Sequence, residues 1–241
     1  MHTTRTETIE APDGGSFDAL VTLPTGMHRS GVLLIQEIFG VNDYIKDVAD
    51  RLAQLGHVVL TPDVFWRQQP GITFDSSDQN NIGPAMEIAS AWDPDTGLAD
   101  LGAALDHLKA LPEVTGAVAV VGFCFGGTQA FRVAQAFDPA CAVCYYGSGV
   151  ADHLDELHTI ECPTLLHFGD SDPFIPNEAV AAVKAAAADN HHVRVDTHPD
   201  AGHAFDNGFA PHFSNPQAAA IAWTQTGAFL FDHVGGPNMG A

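Results

Sequence analysis

The chain has 241 residues and a formal net charge of -21, from 30 acidic and nine basic residues. A protein this acidic repels phosphate backbones and anionic lipid surfaces, so we expect neither nucleic acid nor a membrane as a partner. Hydrophobic residues make up 46% of the chain and charged residues 16%, a balance that is typical of a globular protein and excludes a disordered or fibrous one.

The length and organisation of the chain predict a single domain over residues 1–241, since no repeat, linker or low-complexity tract divides it. The longest apolar stretch, residues 117–125, is far shorter than the roughly 18 residues of a membrane span. The polar N-terminal segment lacks the apolar core of a secretory signal. These features lead us to expect a cytoplasmic protein, working as a monomer or a weak homo-oligomer.

In chain order, residues 5–23 read as a hairpin around the turn Asp13-Gly14-Gly15. Apolar runs with the continuity of buried strands follow at 31–38, 57–63, 117–123, 140–147 and 163–169, with a last strand at 192–198. Helical patterns lie at 43–55, 96–111, 126–137, 176–189 and 216–233. Alternating strands and helices predict the α/β class, with a mostly parallel central sheet and helices on both faces.

The segment 64–95 differs from the rest, since it is rich in Gln, Asp, Asn, Ser, Gly and Pro. Such an excursion usually covers the carboxyl edge of a parallel sheet, where ligands bind. We interpret it as a candidate cap over an active site. A solvated surface loop is the alternative.

Gly122-Phe123-Cys124-Phe125-Gly126 lies where a predicted strand ends and a helix begins. This is the context of the G-x-S-x-G nucleophile elbow, with cysteine in place of serine, and it predicts an α/β-hydrolase fold. The turn also puts Cys124 at a helix N-terminus, which favours thiolate over thiol. A buried thiol beside a tight turn is the alternative.

Two further segments supply the partners of a triad in the order nucleophile, acid, histidine. Asp172 follows the strand at 163–169, and His203 follows the last strand. Asp170 competes with Asp172 for the role of the acid, and either could cap the next helix. We favour His203 as the catalytic histidine, and the choice between the two aspartates stays open at this point.

Cys141 and Cys144 form a C-x-x-C pair, which could be a redox couple or half of a metal site. The surrounding residues favour a strand, whereas redox pairs of this type begin a helix. The 13 histidines show no H-x-x-x-H or H-E-x-x-H spacing. We expect no metal and no cofactor.

The motifs Gln36-Glu37-Ile38-Phe39-Gly40, G-x-C-x-G-G, G-D-S-D-x-x-x-P and A-G-H-A-F together resemble the dienelactone hydrolase family over essentially the whole chain. The resemblance implies that Cys124, Asp172 and His203 form the triad. It also implies that Glu37 holds the thiol in the resting enzyme and is displaced by substrate. A salt bridge between Glu37 and an arginine is the alternative.

An oxyanion hole would use the backbone N-H groups of Phe125 and Ile38. Aromatic residues near the predicted strand ends are candidates for a substrate pocket, or for ordinary core packing: Phe39, Trp66, Tyr145 and Phe205.

The family resemblance also bears on the substrate. It implies two arginines that bind a substrate carboxylate, and the matching positions here hold Asn80 and Asn207. Losing charge-assisted partners disfavours anionic substrates. We therefore expect a hydrolase of neutral lactones or activated esters, in which the amides of Asn80 and Asn207 hydrogen-bond to a polar uncharged group of the substrate. Arg67 is a candidate replacement cation, and a solvated surface residue is the alternative. A sensor that binds a small ligand without turnover and a redox protein are the rival hypotheses.

Overall fold

The computed structural model describes residues 2–26 and 30–235. Its eight strands are β1 (Thr3–Glu10), β2 (Ser16–Leu23), β3 (Gly31–Ile35), β4 (Val58–Pro62), β5 (Val118–Phe123), β6 (Cys141–Tyr145), β7 (Thr164–Gly169) and β8 (Val193–His198). They form one sheet in the order β1-β2-β4-β3-β5-β6-β7-β8. The pairs β1/β2 and β2/β4 are antiparallel, and all other neighbours are parallel. The prediction of a mostly parallel sheet is confirmed.

The described residues form six α-helices: α1 (Asp43–Gln54), α2 (Ile82–Ser90), α3 (Pro94–Ala110), α4 (Phe125–Phe137), α5 (Asn177–Ala187) and α6 (Pro216–Val234). All except α2 pack on the two faces of the sheet. Asn42, Asp93 and Asn215 cap α1, α3 and α6, because each side chain accepts a backbone N-H of the first turn. Two 3-10 segments, Gln79–Asn81 and Ser148–Thr159, were not predicted. No helix in the described ranges is long and apolar enough to cross a bilayer.

The middle of the sheet is the core of the protein. Every residue of β3, β4, β5, β6 and β7 is buried, as the continuous Val, Leu and Ile runs predict for strands covered on both faces. The strand predicted over 31–38 is shorter than expected. Its last ladder pair joins Ile35 to Gly122, and the chain leaves the sheet as a loop that carries Glu37 and Ile38.

The excursion at 64–95 contains the helix α2, whose N-cap residue Asn81 makes no side-chain capping hydrogen bond. A bridge between Gly40 and Thr73 and a hydrogen bond from the Phe74 amide to the Phe39 carbonyl attach the excursion to the loop after β3. These contacts place the segment beside the loop that follows the carboxyl end of β3.

Candidate active site

Cys124 lies in the sharp turn between β5 and α4, with φ 55° and ψ -117°. Residues other than glycine rarely adopt these backbone angles, and backbone strain of this kind is concentrated at functional sites. The neighbouring glycines allow the turn. A Cβ on Gly122 would collide with the carbonyl of Gly126, and a Cβ on Gly126 would collide with the carbonyl of Ile35. The glycine spacing thus reflects the close approach of three backbone segments.

His203 connects Cys124 to Asp172. Its Nε2 lies 3.1 Å from the sulfur of Cys124, and its Nδ1 lies 2.8 Å from Oδ2 of Asp172. The other carboxylate oxygen accepts the backbone N-H groups of Phe174 and Ile175 at 2.8 and 3.2 Å. Because a carboxylate only accepts, Nδ1 of His203 carries a proton. The acid therefore fixes both the orientation and the tautomer of the ring.

Asp170 takes no part in this row. It is exposed, and its Oδ1 accepts the backbone N-H of Asp200 at 2.7 Å and the hydroxyl of Ser171 at 3.0 Å. It ties together the loops after β7 and β8. Of the two candidate acids, the structure places Asp172 against His203.

The charge on His203 follows from its surroundings. Burial alone would lower the pKa of this imidazole, but the adjacent sulfur of Cys124 and the carboxylate of Asp172 outweigh it and raise the pKa to about 10. An imidazole with this pKa is protonated at neutral pH and can donate to the sulfur or to a leaving group.

Glu37 is buried beside the row of Cys124, His203 and Asp172, and it lines the cavity that contains the sulfur of Cys124. Its carboxyl group is 3.4 Å from the hydroxyl of Tyr146 and accepts the amide N-H of Asn207 at 3.1 Å. Burial raises its pKa to about 7, against the opposing effects of His203 and of the hydrogen bond from Asn207. Among the described residues, neither hydrogen-bond partner of Glu37 is an arginine, so the alternative of a salt bridge between Glu37 and an arginine is wrong. The sulfur of Cys124 is hydrogen-bonded to His203. This is the arrangement that the family resemblance implies for the enzyme after substrate has displaced Glu37.

The two backbone groups predicted for an oxyanion hole flank Cys124. Phe125 is the first residue of α4, so its N-H has no acceptor within the helix. Ile38 lies in the loop after β3, and both residues line the cavity that contains the sulfur.

A cavity of about 390 Å³ opens above Cys124. Most of its lining residues are apolar or uncharged, and among those described none is a lysine or arginine: Glu37, Ile38, Phe39, Ile82, Met86, Ala89, Ser90, Cys124, Phe125, Thr128, Gln129, Ser148, Gly149, Phe174, His203, Ala204 and Phe213. A mostly apolar space with a few convergent polar groups is typical of a small-molecule site.

Only one of the four predicted pocket aromatics lines this cavity, and it is Phe39. Tyr145 and Phe205 are fully buried in the core, where their rings lie 6.2 Å apart. Trp66 lies away from the cavity, because its ring stacks on Phe17 and its N-H donates to a carboxylate of α3 at 2.9 Å. For these three residues the pocket interpretation is corrected to core and surface packing.

The predicted polar contacts to substrate are corrected as well. Asn80 is exposed and bonds to Asp78 at 2.8 Å, outside the cavity lining. Asn207 is buried behind Glu37 and is also absent from the lining. Arg67 is engaged by Asp100 and Asp13 at 2.7 to 2.8 Å. It therefore does not replace the missing cations in the cavity.

Several lining residues had no role in the sequence prediction. Ile82 and Met86 lie one turn apart on α2, and an i, i+4 apolar pair inside a polar excursion was the signal that could have revealed them. Phe174 follows Asp172 by two residues and is largely exposed at the cavity. Phe213 lies in the loop before α6, where the sequence carries no such signal.

Cys141 and Cys144 are free thiols buried on β6. Residues three apart on a strand point to opposite faces, which opposes a disulfide between them. In the ranges 2–26 and 30–235, no group of three or more His, Cys, Asp or Glu side chains is placed to hold a metal ion.

The parallel sheet, the strained turn after β5 and the cavity above it define the α/β-hydrolase fold. The chain belongs to the dienelactone hydrolase family, whose model matches residues 17–234. It is therefore a hydrolase.

Individual relatives agree with this assignment. The chain is 36% identical to a carboxymethylenebutenolidase of Pseudomonas sp., over 90% of this chain and 91% of that protein. It is 32% identical to carboxymethylenebutenolidase 1 of Cupriavidus pinatubonensis, over 90% and 92% of the two chains. The crystal structure of a dienelactone hydrolase-like promiscuous phosphotriesterase from metagenomic libraries matches with a TM-score of 0.76 and 26% identity, over 96% of this chain and 99% of the other.

Proposed function

We propose that this protein hydrolyses lactones or activated carboxylic esters through the thiolate of Cys124 and prefers uncharged substrates. The observation that carries the proposal is the row from the Cys124 sulfur through His203 to Asp172, with contacts of 3.1 and 2.8 Å at the base of an apolar cavity. Sulfur, base and orienting acid are within the distances that nucleophilic catalysis requires.

In the first half of the reaction, the thiolate attacks the carbonyl carbon and a C–S bond forms. The carbonyl electrons move onto oxygen, which the N-H groups of Phe125 and Ile38 stabilise. The C–O bond of the ester then breaks, and the imidazolium of His203 gives its proton to the departing alkoxide. The products of this half are an alcohol, a thioester on Cys124 and a neutral imidazole.

In the second half, His203 takes a proton from water as the water oxygen attacks the thioester carbon. The C–S bond breaks, the acid leaves, and the thiolate and imidazolium are restored. A thiolate is a good leaving group, so activated acyl groups such as enol lactones suit it better than amides. All of these groups come from one chain, so we propose that a monomer suffices for turnover.

The preference for uncharged substrates follows from the cavity wall. Its described lining holds Glu37 and no lysine or arginine. A substrate carboxylate there would lose its hydration at a cost, and the cationic group among the described lining residues, the imidazolium of His203, is already bonded to Cys124 and Asp172. The negative net charge of the protein also repels anions at encounter.

The test is turnover of p-nitrophenyl acetate, a neutral enol lactone, and a carboxylated dienelactone with its methyl ester, at fixed ionic strength. We expect wild type to hydrolyse them and to favour the methyl ester over the free acid, while Cys124→Ala is inactive. No turnover by wild type would support a ligand-binding sensor. Activity that is lost only in Cys141→Ser or Cys144→Ser would support the redox hypothesis.

A second candidate reaction is the hydrolysis of neutral phosphotriesters. A mostly apolar cavity whose described lining holds no lysine or arginine can accept such molecules, and a structural relative is a dienelactone hydrolase-like promiscuous phosphotriesterase. The thiolate would displace an aryloxide from phosphorus, and the same two N-H groups would stabilise the phosphoryl oxygen. Release of p-nitrophenol from a dialkyl p-nitrophenyl phosphate, absent in Cys124→Ala, tests this candidate.

A further inference from the structure

A buried row of hydrogen-bonded groups runs from Glu37 away from the cavity to Arg51 on α1. The hydroxyl of Tyr146 lies 3.4 Å from Oε1 of Glu37 and 3.1 Å from the hydroxyl of Tyr44. The Tyr44 hydroxyl in turn lies 2.8 Å from Oδ2 of Asp206, which accepts Nη2 of Arg51 at 2.6 Å. These contacts join side chains that are 102 to 162 positions apart in the chain.

The direction of these hydrogen bonds follows from counting protons. Both oxygens of Asp206 accept from the guanidinium of Arg51, so Asp206 is a carboxylate that can only accept. The single hydroxyl proton of Tyr44 therefore points to Asp206. Tyr146 also has one proton, and it has two acceptors within reach, Tyr44 and Glu37.

Two arrangements of protons satisfy the row. When Glu37 is ionised, Tyr146 donates to it and the oxygen of Tyr44 receives no proton. When Glu37 is neutral, its O-H donates to Tyr146, and Tyr146 donates to Tyr44. Asn207 donates to the other oxygen of Glu37 in both cases. The hydroxyl of Tyr146 must therefore rotate whenever Glu37 changes its charge.

The backbone at Tyr146 is strained, with φ 38°. Its amide donates to the carbonyl of His167 at 2.8 Å, and its ring contacts His203 and Phe205 with centroids 5.3 and 5.2 Å apart. A bulky side chain at positive φ is rare and persists only where the surroundings enforce it. This backbone conformation places the ring of Tyr146 between His203 and Glu37.

We propose that Tyr146 is a positioning residue whose hydroxyl sets the proton equilibrium of Glu37, with Tyr44 and Asp206 as the fixed end of the row. The regulatory consequence rests on the proposed function, because an ionised Glu37 stabilises the imidazolium of His203 at the same site.

The groups that face Glu37 from the surrounding elements are His203 and Asp206 after β8, Tyr146 after β6, Tyr44 on α1 and Cys124 in the elbow. Burial raises the pKa of Glu37 to about 7, which puts its proton equilibrium in the neutral range. In this range, small changes in hydrogen bonding alter its charge.

The test deletes one hydroxyl at a time and follows the protonated carboxyl of Glu37 by infrared difference spectroscopy against pH. The band is assigned by its loss in Glu37→Gln. Tyr146→Phe removes the donor of the ionised form and only a weaker acceptor of the neutral form, so the midpoint should rise by roughly half to one unit. Tyr44→Phe leaves Tyr146 with Glu37 as its only acceptor, so the midpoint should fall by a similar amount.

The matched control is Tyr145→Phe, because this buried neighbour bonds to Thr226 at 2.6 Å and not to Glu37. Its midpoint should equal that of wild type. The pH profile of kcat/KM should move in the same direction as the infrared midpoint in each variant, with circular dichroism showing a native fold.

Shifts of the same sign in Tyr146→Phe and Tyr44→Phe, an equal shift in Tyr145→Phe, or no titrating band assigned to Glu37 would overturn the proposal. A kcat/KM profile that stays fixed while the midpoint moves would overturn the regulatory role. If wild type hydrolyses no ester, the proposed function fails, while the infrared midpoints still decide whether the row controls Glu37.

Discussion

The Nδ1 of His203 lies 2.8 Å from Oδ2 of Asp172, whose side chain is fully buried. This contact holds the imidazole with Nε2 toward Cys124. Asp172→Asn should therefore lower kcat by about 10³- to 10⁴-fold, because an amide can stabilise the wrong tautomer of the ring. Asp170→Asn is the matched control and should have a modest effect, since Asp170 bonds only to loop groups. Steady-state kinetics on an activated ester measure both, and the reverse result would reassign the acid.

Cys124 should react with iodoacetamide at least about ten times faster than the other three thiols. It is partly exposed and faces His203, whereas burial raises the pKa of Cys141, Cys144 and Cys162. Mass spectrometry of partly labelled protein gives the order, and activity should disappear with the first label. Equal labelling of Cys162 with full activity would contradict the nucleophile assignment.

Cys124→Ser should keep the fold and lose most of its activity, because serine needs a stronger base.

A cation placed at the cavity should change the substrate preference. Met86 lines the cavity and is 49% exposed, so Met86→Lys should be tolerated. We expect it to raise the kcat/KM ratio of a carboxylated dienelactone to its methyl ester by about five- to tenfold. Ile221→Lys adds the same charge at a residue that is 45% exposed on α6 and does not line the cavity. A similar gain in that control would show a general charge effect and not a local one.

The elbow should not tolerate a methyl group on Gly126. A Cβ there would collide with the carbonyl oxygens of Ile35 and Gln36. Gly126→Ala should reduce the free energy of unfolding by at least about 2 kcal/mol. Gly208 has open space where a Cβ would be added, so Gly208→Ala should change it by less than about 0.5 kcal/mol. Urea denaturation measures both. A Gly126→Ala protein as stable as wild type would mean that the three backbones lie further apart than the structure shows.

Glu37 makes stability depend on pH. Its pKa is raised from 4.5 to about 7 by burial, so the folded state keeps a proton that the unfolded chain releases between these values. Stability from this group is complete below pH 4.5 and is lost as pH rises to about 7, by about 3 kcal/mol. The free energy of unfolding of Glu37→Gln minus that of wild type should therefore be about 3 kcal/mol larger at pH 8 than at pH 4. Glu87→Gln, at an exposed carboxyl on α2, is the control, and equal slopes in both variants would refute the assignment.

The sequence alone determined the fold class, because continuous buried runs and glycine spacing are local properties of the chain. Short apolar runs over β3, β5 and β7 favour strands covered on both faces, and their alternation with helices leaves few topologies. Likewise, the elbow at Cys124 can be recognised from neighbouring residues in the sequence, since the turn excludes any side chain at Gly122 and Gly126.

The tertiary structure decided which distant side chains meet. No local pattern shows that Tyr44 bonds Asp206 across 162 positions, or that Trp66 stacks away from the cavity while Met86 lines it. By its match to a family position, Asn207 was predicted to bond a polar uncharged group of the substrate, but its amide is buried against Glu37. Whether a polar group faces a cavity or the carboxyl group behind it depends on how helices and loops pack on the sheet, and that packing is a sum of many weak contacts between residues far apart in the chain.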